Sequence, residues 1–359
     1  MSQPRDGVCV SDHSVAIIGT GDPSGDGFAM AYHHAEGYKQ IDGCELVACA
    51  DVLEENADRF AEAFDLGTDG AFVDHGEMVA TVEPDIVSVC VPPAIHAELV
   101  VDCARAGVGA IHCEKPMART WEESKRMVAT CEEAGTMLTF NHQRRFAPPW
   151  QRAKELLEEG AIGELERIEM AAGDFYDWGT HIVDLGGYFT DEQPAEWVIG
   201  QVDGREEREL FGAPVDNQTL AQWEYENGVD ALAATGDGAE IVDCRHRLLG
   251  SGGTIEVRRT DAADLRIKRD GETEWTGSEY DYEWTDAIHT AIEDIVDSYA
   301  QGEESLLNGA NALRATEIIF AAYESARGRG RVDLPLDIED NPYEAMVDSG
   351  ALVVENDRE

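Results

Sequence analysis

Residues 15–27 read Val15-Ala-Ile-Ile-Gly19-Thr-Gly21-Asp-Pro-Ser-Gly25-Asp-Gly27, and a helix-like run starts near Phe28. The apolar residues describe a buried strand that ends in a glycine-rich loop. Glycines let the backbone approach a pyrophosphate, which then rests on the N–H groups of the following helix. The order strand, glycine loop, helix therefore points to a dinucleotide site. The spacing is longer than G-x-G-x-x-G by at least one residue. Asp22 and Asp26 also bring negative charge to the place where phosphate would sit. Two readings stay open: the aspartates point to solvent from an enlarged loop, or the segment is a turn that holds no ligand.

Outward from this loop, short apolar runs alternate with helical patterns. Strands are predicted at 15–19, 45–51, 85–91, 109–114 and 136–140. Helical spacing fills 54–64, 95–106 and 121–134 between them. Alternating strands and helices make a doubly wound parallel sheet of the Rossmann type. Continuous apolar strands suit a sheet covered on both faces. The pattern changes after about residue 145. A helix at 151–159 precedes strand-like runs at 168–172, 196–202, 219–225, 229–235, 241–248, 254–258 and 265–268. Asn227-Gly228 and Asp270-Gly271 are hairpin dipeptides. Helices are expected at about 285–301 and 308–327. The chain thus divides into an N-terminal tail (1–13), a dinucleotide-binding domain (14–145), an α/β domain with a large, mostly antiparallel sheet (146–336), and an acidic tail (337–359) expected to be mobile or draped on the surface.

Charge narrows the function classes. The 359 residues carry 74 Asp and Glu against 27 Lys and Arg, a net charge of −47. Only five of the basic residues are lysine: Lys39, Lys115, Lys125, Lys154 and Lys268. The acid is spread along the whole chain. Such a surface suits a cytoplasm of very high salt, where self-repulsion is screened. Nucleic acid is excluded as a partner, because phosphate backbones need a basic face. No apolar run reaches the length of a membrane span, and the first residues lack a signal-peptide pattern, so a cytoplasmic protein is expected. The eight cysteines form no C-x-x-C pair and read as buried free thiols. No metal-ligand spacing is present among the histidines.

Four further segments carry chemistry. Asp51 ends the second strand, where a carboxylate can accept both ribose hydroxyls of NAD and repel a 2′-phosphate. It can equally cap the helix that follows. Pro92 and His96 follow the third strand, at the ligand edge of an open sheet, although a histidine there also suits a helix start. Glu114-Lys115-Pro116 follows the fourth strand. A lysine at the ligand edge of so lysine-poor a chain suggests a required point charge or proton donor. Asp177, His181 and Asp184 fall at i, i+4 and i+7 of a predicted helix, so that carboxylates flank a histidine able to serve as general base. Trp178 suits stacking on a sugar ring or core packing.

Together these segments resemble the Gfo/Idh/MocA oxidoreductases from about Ser14 to Leu336. The carriers are the glycine loop with Asp51, Val91-Pro-Pro-Ala-Ile-His96, Glu114-Lys115-Pro116, the linking segment Phe140–Pro148, Asp177-x-x-x-His181-x-x-Asp184, and the closing Asn308–Arg314 and Val332–Pro335. The resemblance implies NAD bound by Gly19, Thr20, Gly21, Gly25, Asp51, Pro92, His96, Glu114 and Lys115, with NAD preferred over NADP because of Asp51. It implies catalysis by Lys115, Asp177 and His181, and substrate contacts from Asn141, Arg144, Trp178, Asp177 and His181. The expected reaction is oxidation of a sugar, inositol or polyol hydroxyl by hydride transfer to nicotinamide, or reduction of the ketone, in a homodimer or homotetramer. Two alternatives are an NAD-retaining glycoside hydrolase or lyase of the same superfamily and a dinucleotide-binding sensor without turnover.

Overall fold

The computed structural model describes residues 13–24, 29–259 and 263–352. Its first sheet has six parallel strands: β1 His13–Ile18, β2 Cys44–Ala50, β3 Ala71–Phe72, β4 Ile86–Val89, β5 Ala110–Cys113 and β6 Met137–Phe140. Helices α1 Met30–Lys39, α2 Glu54–Ala63, α3 His75–Val82, α4 His96–Arg105 and α5 Trp121–Ala134 link them in turn. The spatial order is β3-β2-β1-β4-β5-β6. Strand order therefore reverses between β1 and β4, which opens a crevice at their carboxyl ends. Val15, Ile17, Ile86, Val87 and Ile111 are fully buried, as a sheet covered on both faces requires. All five strands expected here are present. β3 is a sixth, too short at two residues to show periodicity. Its companion α3 starts at Asp74, whose carboxylate accepts from the Glu77 N–H at 2.7 Å.

The second half begins with α6 Pro148–Glu158, β7 Leu165–Ala172, α7 Asp177–Phe189 and β8 Ala195–Asp203. A small pair, β9 Glu209–Leu210 and β10 Ala213–Pro214, precedes β11 Gln218–Tyr225 and β12 Asp230–Thr235. Then come β13 Cys244–Gly250, β14 Gly253–Arg259, β15 Leu265–Arg269 and β16 Thr276–Ser278. The last elements are α8 Trp284–Gln301, α9 Gly309–Gly328, β17 Val332–Asp333 and α10 Pro342–Asp348. Nine strands form one sheet in the order β16-β15-β14-β13-β7-β12-β11-β8-β17. Only β7 and β12 pair in parallel. Thr219, Ala221, Trp223 and Tyr225 of β11 are buried while Gln222 between them is exposed, the alternation of a sheet with one face in the core. That core joins Trp223, Ile168 and Met170 of the sheet to Trp150, Ile182 and Phe320 of α6, α7 and α9.

One detail differs from the sequence reading, and one of its open alternatives narrows. The strand expected from residue 241 begins at Cys244, because Gly236–Ile241 forms a 3₁₀ turn. The acidic tail is docked rather than mobile over residues 337–352. The Trp121 indole N–H donates to the Leu336 carbonyl at 3.1 Å, the Glu122 N–H donates to the Glu339 carbonyl at 2.9 Å, and Tyr343 and Met346 of α10 are buried. α8 returns to the first sheet. Its Ile288, Ile292 and Val296 pack with Tyr38 on Val15, Ile86 and Ala110, so the two sheets share a helix. Among the described residues, no helix is long and apolar enough to cross a membrane.

Candidate active site

The glycine loop leaves β1 at the reversal of strand order. Gly19 has φ +86°, and a Cβ there would lie 2.4 Å from Val91 Cγ1 and 2.9 Å from the Cys90 carbonyl carbon. Only glycine fits between β1 and the end of β4. Gly21 has φ +62°, and a Cβ there would meet nothing within 4 Å, so the loop opens on free space. Thr20 between them is fully buried. Asp51 ties this loop to the next unit. Its Oδ2 accepts from the Gly21 N–H at 2.9 Å and the Thr20 hydroxyl at 3.2 Å, and its Oδ1 accepts from the Leu53 N–H at 2.9 Å. Asp22 is turned aside: it accepts from the Ser24 N–H and hydroxyl and lies 3.3 Å from Arg59. Gly25, Asp26 and Gly27 lie outside the described residues. The close approach at Gly19 and the open side of Gly21 fit a pyrophosphate, with exposed Pro92 at the end of β4 beside them.

Behind the lysine lies a buried polar network. Glu114 Oε1 accepts from the Asn141 amide at 2.7 Å and lies 3.0 Å from His34 Nε2, and its Oε2 accepts from the Lys115 N–H at 3.2 Å. Burial alone would raise this carboxyl, but His34, Asn141 and the Lys115 charge outweigh it and hold it at about 2. Glu114 is therefore an anion that fixes the backbone of Lys115. Asn141, expected to touch substrate, is 1% exposed; its amide nitrogen donates to Glu114, and its Oδ1 has no hydrogen-bond partner among the described residues. His96, expected as a cofactor contact, is turned inward. It is fully buried, with Nε2 2.8 Å from the Val91 carbonyl and Nδ1 2.9 Å from the Pro116 carbonyl. The ring braces the β4 edge against the lysine loop and has no nitrogen left to offer.

The start of α7 faces the lysine. Lys115 Nζ donates to Asp177 Oδ1 at 2.7 Å. Asp174 starts the helix, its Oδ1 accepting from the N–H groups of Asp177 at 2.6 Å and Trp178 at 3.2 Å. His181 is buried one turn on, and its Nδ1 has no hydrogen-bond partner among the described residues. Burial first, then the charges of Arg144, Lys115, His142 and Arg245, push His181 well below its ordinary 6.5. The ring is neutral at pH 7 and carries a lone pair. The expected second flanking carboxylate is not available to it. Asp184 accepts from Arg145 Nε and Nη2, both at 2.8 Å, and lies 3.1 Å from His142 Nδ1. These partners outweigh burial and hold Asp184 well below the usual carboxylate range. Asp184 is the counterion of Arg145, which also reaches Glu192 and the Leu306 carbonyl.

Trp178, 40% exposed, stands at the mouth. The Arg144 guanidinium lies 5.0 Å from its ring and that of Arg245 lies 5.7 Å from it. The structure thus gathers Lys115, Asp177, His181, Arg144 and Trp178 and sets Asn141 and His96 behind them. Sequence reasoning missed His34, Asp174 and Arg245. Asp174, three residues before Asp177 at a helix start, carried a capping signal. His34 and Arg245 carried none, because they arrive from α1 and β13, remote in sequence.

Fold and site together define a dinucleotide-dependent oxidoreductase. Residues 13–142 match the NAD-binding Rossmann fold of the Gfo/Idh/MocA oxidoreductase family, and residues 166–334 match its C-terminal alpha/beta domain. The chain belongs to this family. It is 26% identical to D-apiose dehydrogenase of Paraburkholderia graminis, over 91% of this chain and 93% of the relative. It is 26% identical to myo-inositol 2-dehydrogenase of Thermotoga maritima, over 84% and 94% respectively. The solved structure of levoglucosan dehydrogenase with NADH and L-sorbose shares the fold, with a TM-score of 0.78 at 20% identity, covering 91% of this chain and 100% of that one.

Proposed function

We propose that the protein oxidises a hydroxyl of a sugar, inositol or related polyol, or reduces the corresponding ketone, with NAD preferred over NADP. The observation that carries this is the Lys115–Asp177 pair, 2.7 Å apart, beside a neutral buried His181 at the carboxyl edge of β5. The substrate carbinol lies between Lys115 and the first turn of α7. His181 accepts the hydroxyl proton through its lone pair. Lys115 donates a hydrogen bond to the reacting oxygen, and Asp177 holds the ammonium in place and accepts from a neighbouring hydroxyl. Bound NAD would supply the acceptor for the carbinol hydride, the proton passing to His181. Gly19, Thr20, Gly21, Gly25 and Pro92 would hold the cofactor, with Glu114 fixing Lys115 against it. Asp51 would meet the ribose hydroxyls and disfavour a 2′-phosphate. Names of the relatives, an apiose and an inositol dehydrogenase, support the substrate class. The charge of −47 supports a cytoplasmic protein of a salt-adapted source, and the open sheet supports assembly as a homodimer or homotetramer.

The test is His181→Ala, read by the near-ultraviolet absorbance of NADH in concentrated KCl with aldoses, inositols and sugar acids. Turnover falls on the order of 10²- to 10⁴-fold while NADH binding persists. Equal turnover in the variant would move the proton acceptor elsewhere.

A further inference from the structure

We propose that Arg144 and Arg245, gathered on the Trp178 ring, form a subsite for an oxyanion of the substrate, so that the enzyme acts on an acidic sugar in preference to a neutral one. This rests on the oxidoreductase reading above and names its substrate class.

Pairing is the first argument. Acids outnumber basic residues 74 to 27 in this chain, so a counterion is easily supplied. Arginines near the site have one. Arg145 takes Asp184 and Glu192, Arg247 takes Glu169 and Glu256, and Arg258 takes Asp264. Among the described residues Arg144 and Arg245 take no carboxylate. Arg245 donates only to the Ala171 carbonyl, at 3.3 Å. Both guanidinium groups are partly buried beside one aromatic ring. Burial and then the charge of Arg245 bring Arg144 down to about 10, with Tyr282 and Asp177 acting weakly against them and Arg258 adding to them. Burial and Arg258 also lower Arg245. Two partly desolvated cations that oppose each other are costly unless an anion joins them. A guanidinium offers two parallel N–H groups to a carboxylate or a phosphate.

Position is the second argument. Trp178 follows Asp177 directly, and the charges of Arg144 and Arg245 both reach His181. An anion bound by the two arginines would lie within one sugar of the proton acceptor. It would also offset the two charges that oppose protonation of His181. The protein's own field repels anions at long range. At 1 M salt, however, screening acts over ~3 Å, so contact charges decide what binds.

Binding and turnover are measured separately in 3 M KCl. Calorimetry follows D-glucuronate, D-gluconate, D-glucose 6-phosphate, D-glucose and myo-inositol titrated into the protein–NADH complex. NADH formation from the same compounds gives kcat/KM. The acids are expected to bind at least tenfold more tightly than D-glucose. Arg245→Gln is expected to lower the acid-to-neutral ratio about tenfold to a hundredfold, and Arg245→Lys to keep part of it. Retained NADH affinity shows that the variants fold; Arg144→Gln replaces Arg245→Gln if it does not. The better-bound acid, carboxylate or phosphate, identifies the oxyanion. The subsite is overturned if no acid binds, if D-glucose binds as tightly as its acids, or if Arg245→Gln leaves the ratio unchanged. NADH from neutral sugars without any acid preference would sink the subsite and leave the oxidoreductase. Acid-selective binding with no NADH from any compound would sink the oxidoreductase reading and leave the subsite.

Discussion

Asp174→Asn is expected to stabilise this protein in alkaline solution and to remove part of its pH dependence. Asp174 is 1% exposed, and one oxygen alone, Oδ1, accepts both N–H groups at the start of α7. Burial, together with the charges of Asp216 and Asp177, raises its carboxyl from 3.8 to about 7. Asp216 opposite is itself raised by burial, and its oxygens are occupied by Tyr323, Phe175 and Thr219. Below pH 3.8 both folded and unfolded chains hold the Asp174 proton, and the site contributes no penalty. Between that pH and about 7 the unfolded chain loses the proton while the folded protein keeps it, so stability falls as pH rises. Above about 7 the penalty is complete. At ~1.4 kcal/mol per pH unit the gap from 3.8 to about 7 amounts to about 4 kcal/mol. About half of that, ~2 kcal/mol, develops between pH 5.5 and the full ionisation of the folded protein above about 7. Asparagine keeps the Oδ1 acceptor for both N–H groups and discards the charge. Urea unfolding at pH 5.5 and pH 8.5, in one KCl concentration, compares variant with wild type; the surface carboxylates cancel in the difference. The variant should gain about 2 kcal/mol relative to wild type on going from pH 5.5 to 8.5. Parallel pH profiles, or a variant that loses ground at pH 8.5, would refute the reasoning.

Two more substitutions test the scaffold. Asp51→Ser removes the carboxylate that would repel a 2′-phosphate, and it should raise the ratio of kcat/KM for NADP to that for NAD about tenfold. An unchanged ratio places the ribose contact on another residue. Arg145→Met leaves Asp184 buried with the His142 ring, 3.1 Å away, as its remaining side-chain partner. It should lower unfolding free energy by about 3–5 kcal/mol in urea titration; a loss below about 1 kcal/mol would show that Asp184 does not depend on Arg145.

The first sheet was legible because parallel strands buried on both faces leave apolar runs such as Val15–Ile18 and, interrupted by Ser88, Ile86–Val89. β3 escaped because two residues carry no period, and α10 escaped because its seven residues sit in an acid-rich segment that composition alone assigns to solvent. The helix that carries Asp177, His181 and Asp184 was legible from the i, i+4, i+7 spacing. Spacing says which residues share a face, however, not which partners arrive from elsewhere. Arg145 reaches Asp184 from the turn after β6, and that contact reassigns Asp184 from flanking carboxylate to counterion. His96 and Asn141 show the same limit of local sequence. Each stands beside the site in sequence, and each is turned inward by a partner that local sequence does not reveal, the Pro116 carbonyl and Glu114 respectively.

Charge then links composition to chemistry. In a chain with 27 basic residues and 74 acidic ones, pairing is the default, and Asp184 with Arg145, or Glu256 with Arg247 and Arg266, follows that default in the interior. Such pairs fix geometry and are spent. The cations around His181 differ. Lys115 is held by Asp177 at the opening of the crevice, and Arg144 and Arg245 stand on Trp178 without a carboxylate among the described residues. Burial first, and then their charges, push His181 well below its ordinary value, which suits an acceptor but opposes its protonation. An arriving substrate that brings negative charge would ease the protonation of an acceptor in that field. The chemistry of the base and the charge of the substrate are for this reason one question, and the arginine variants address both.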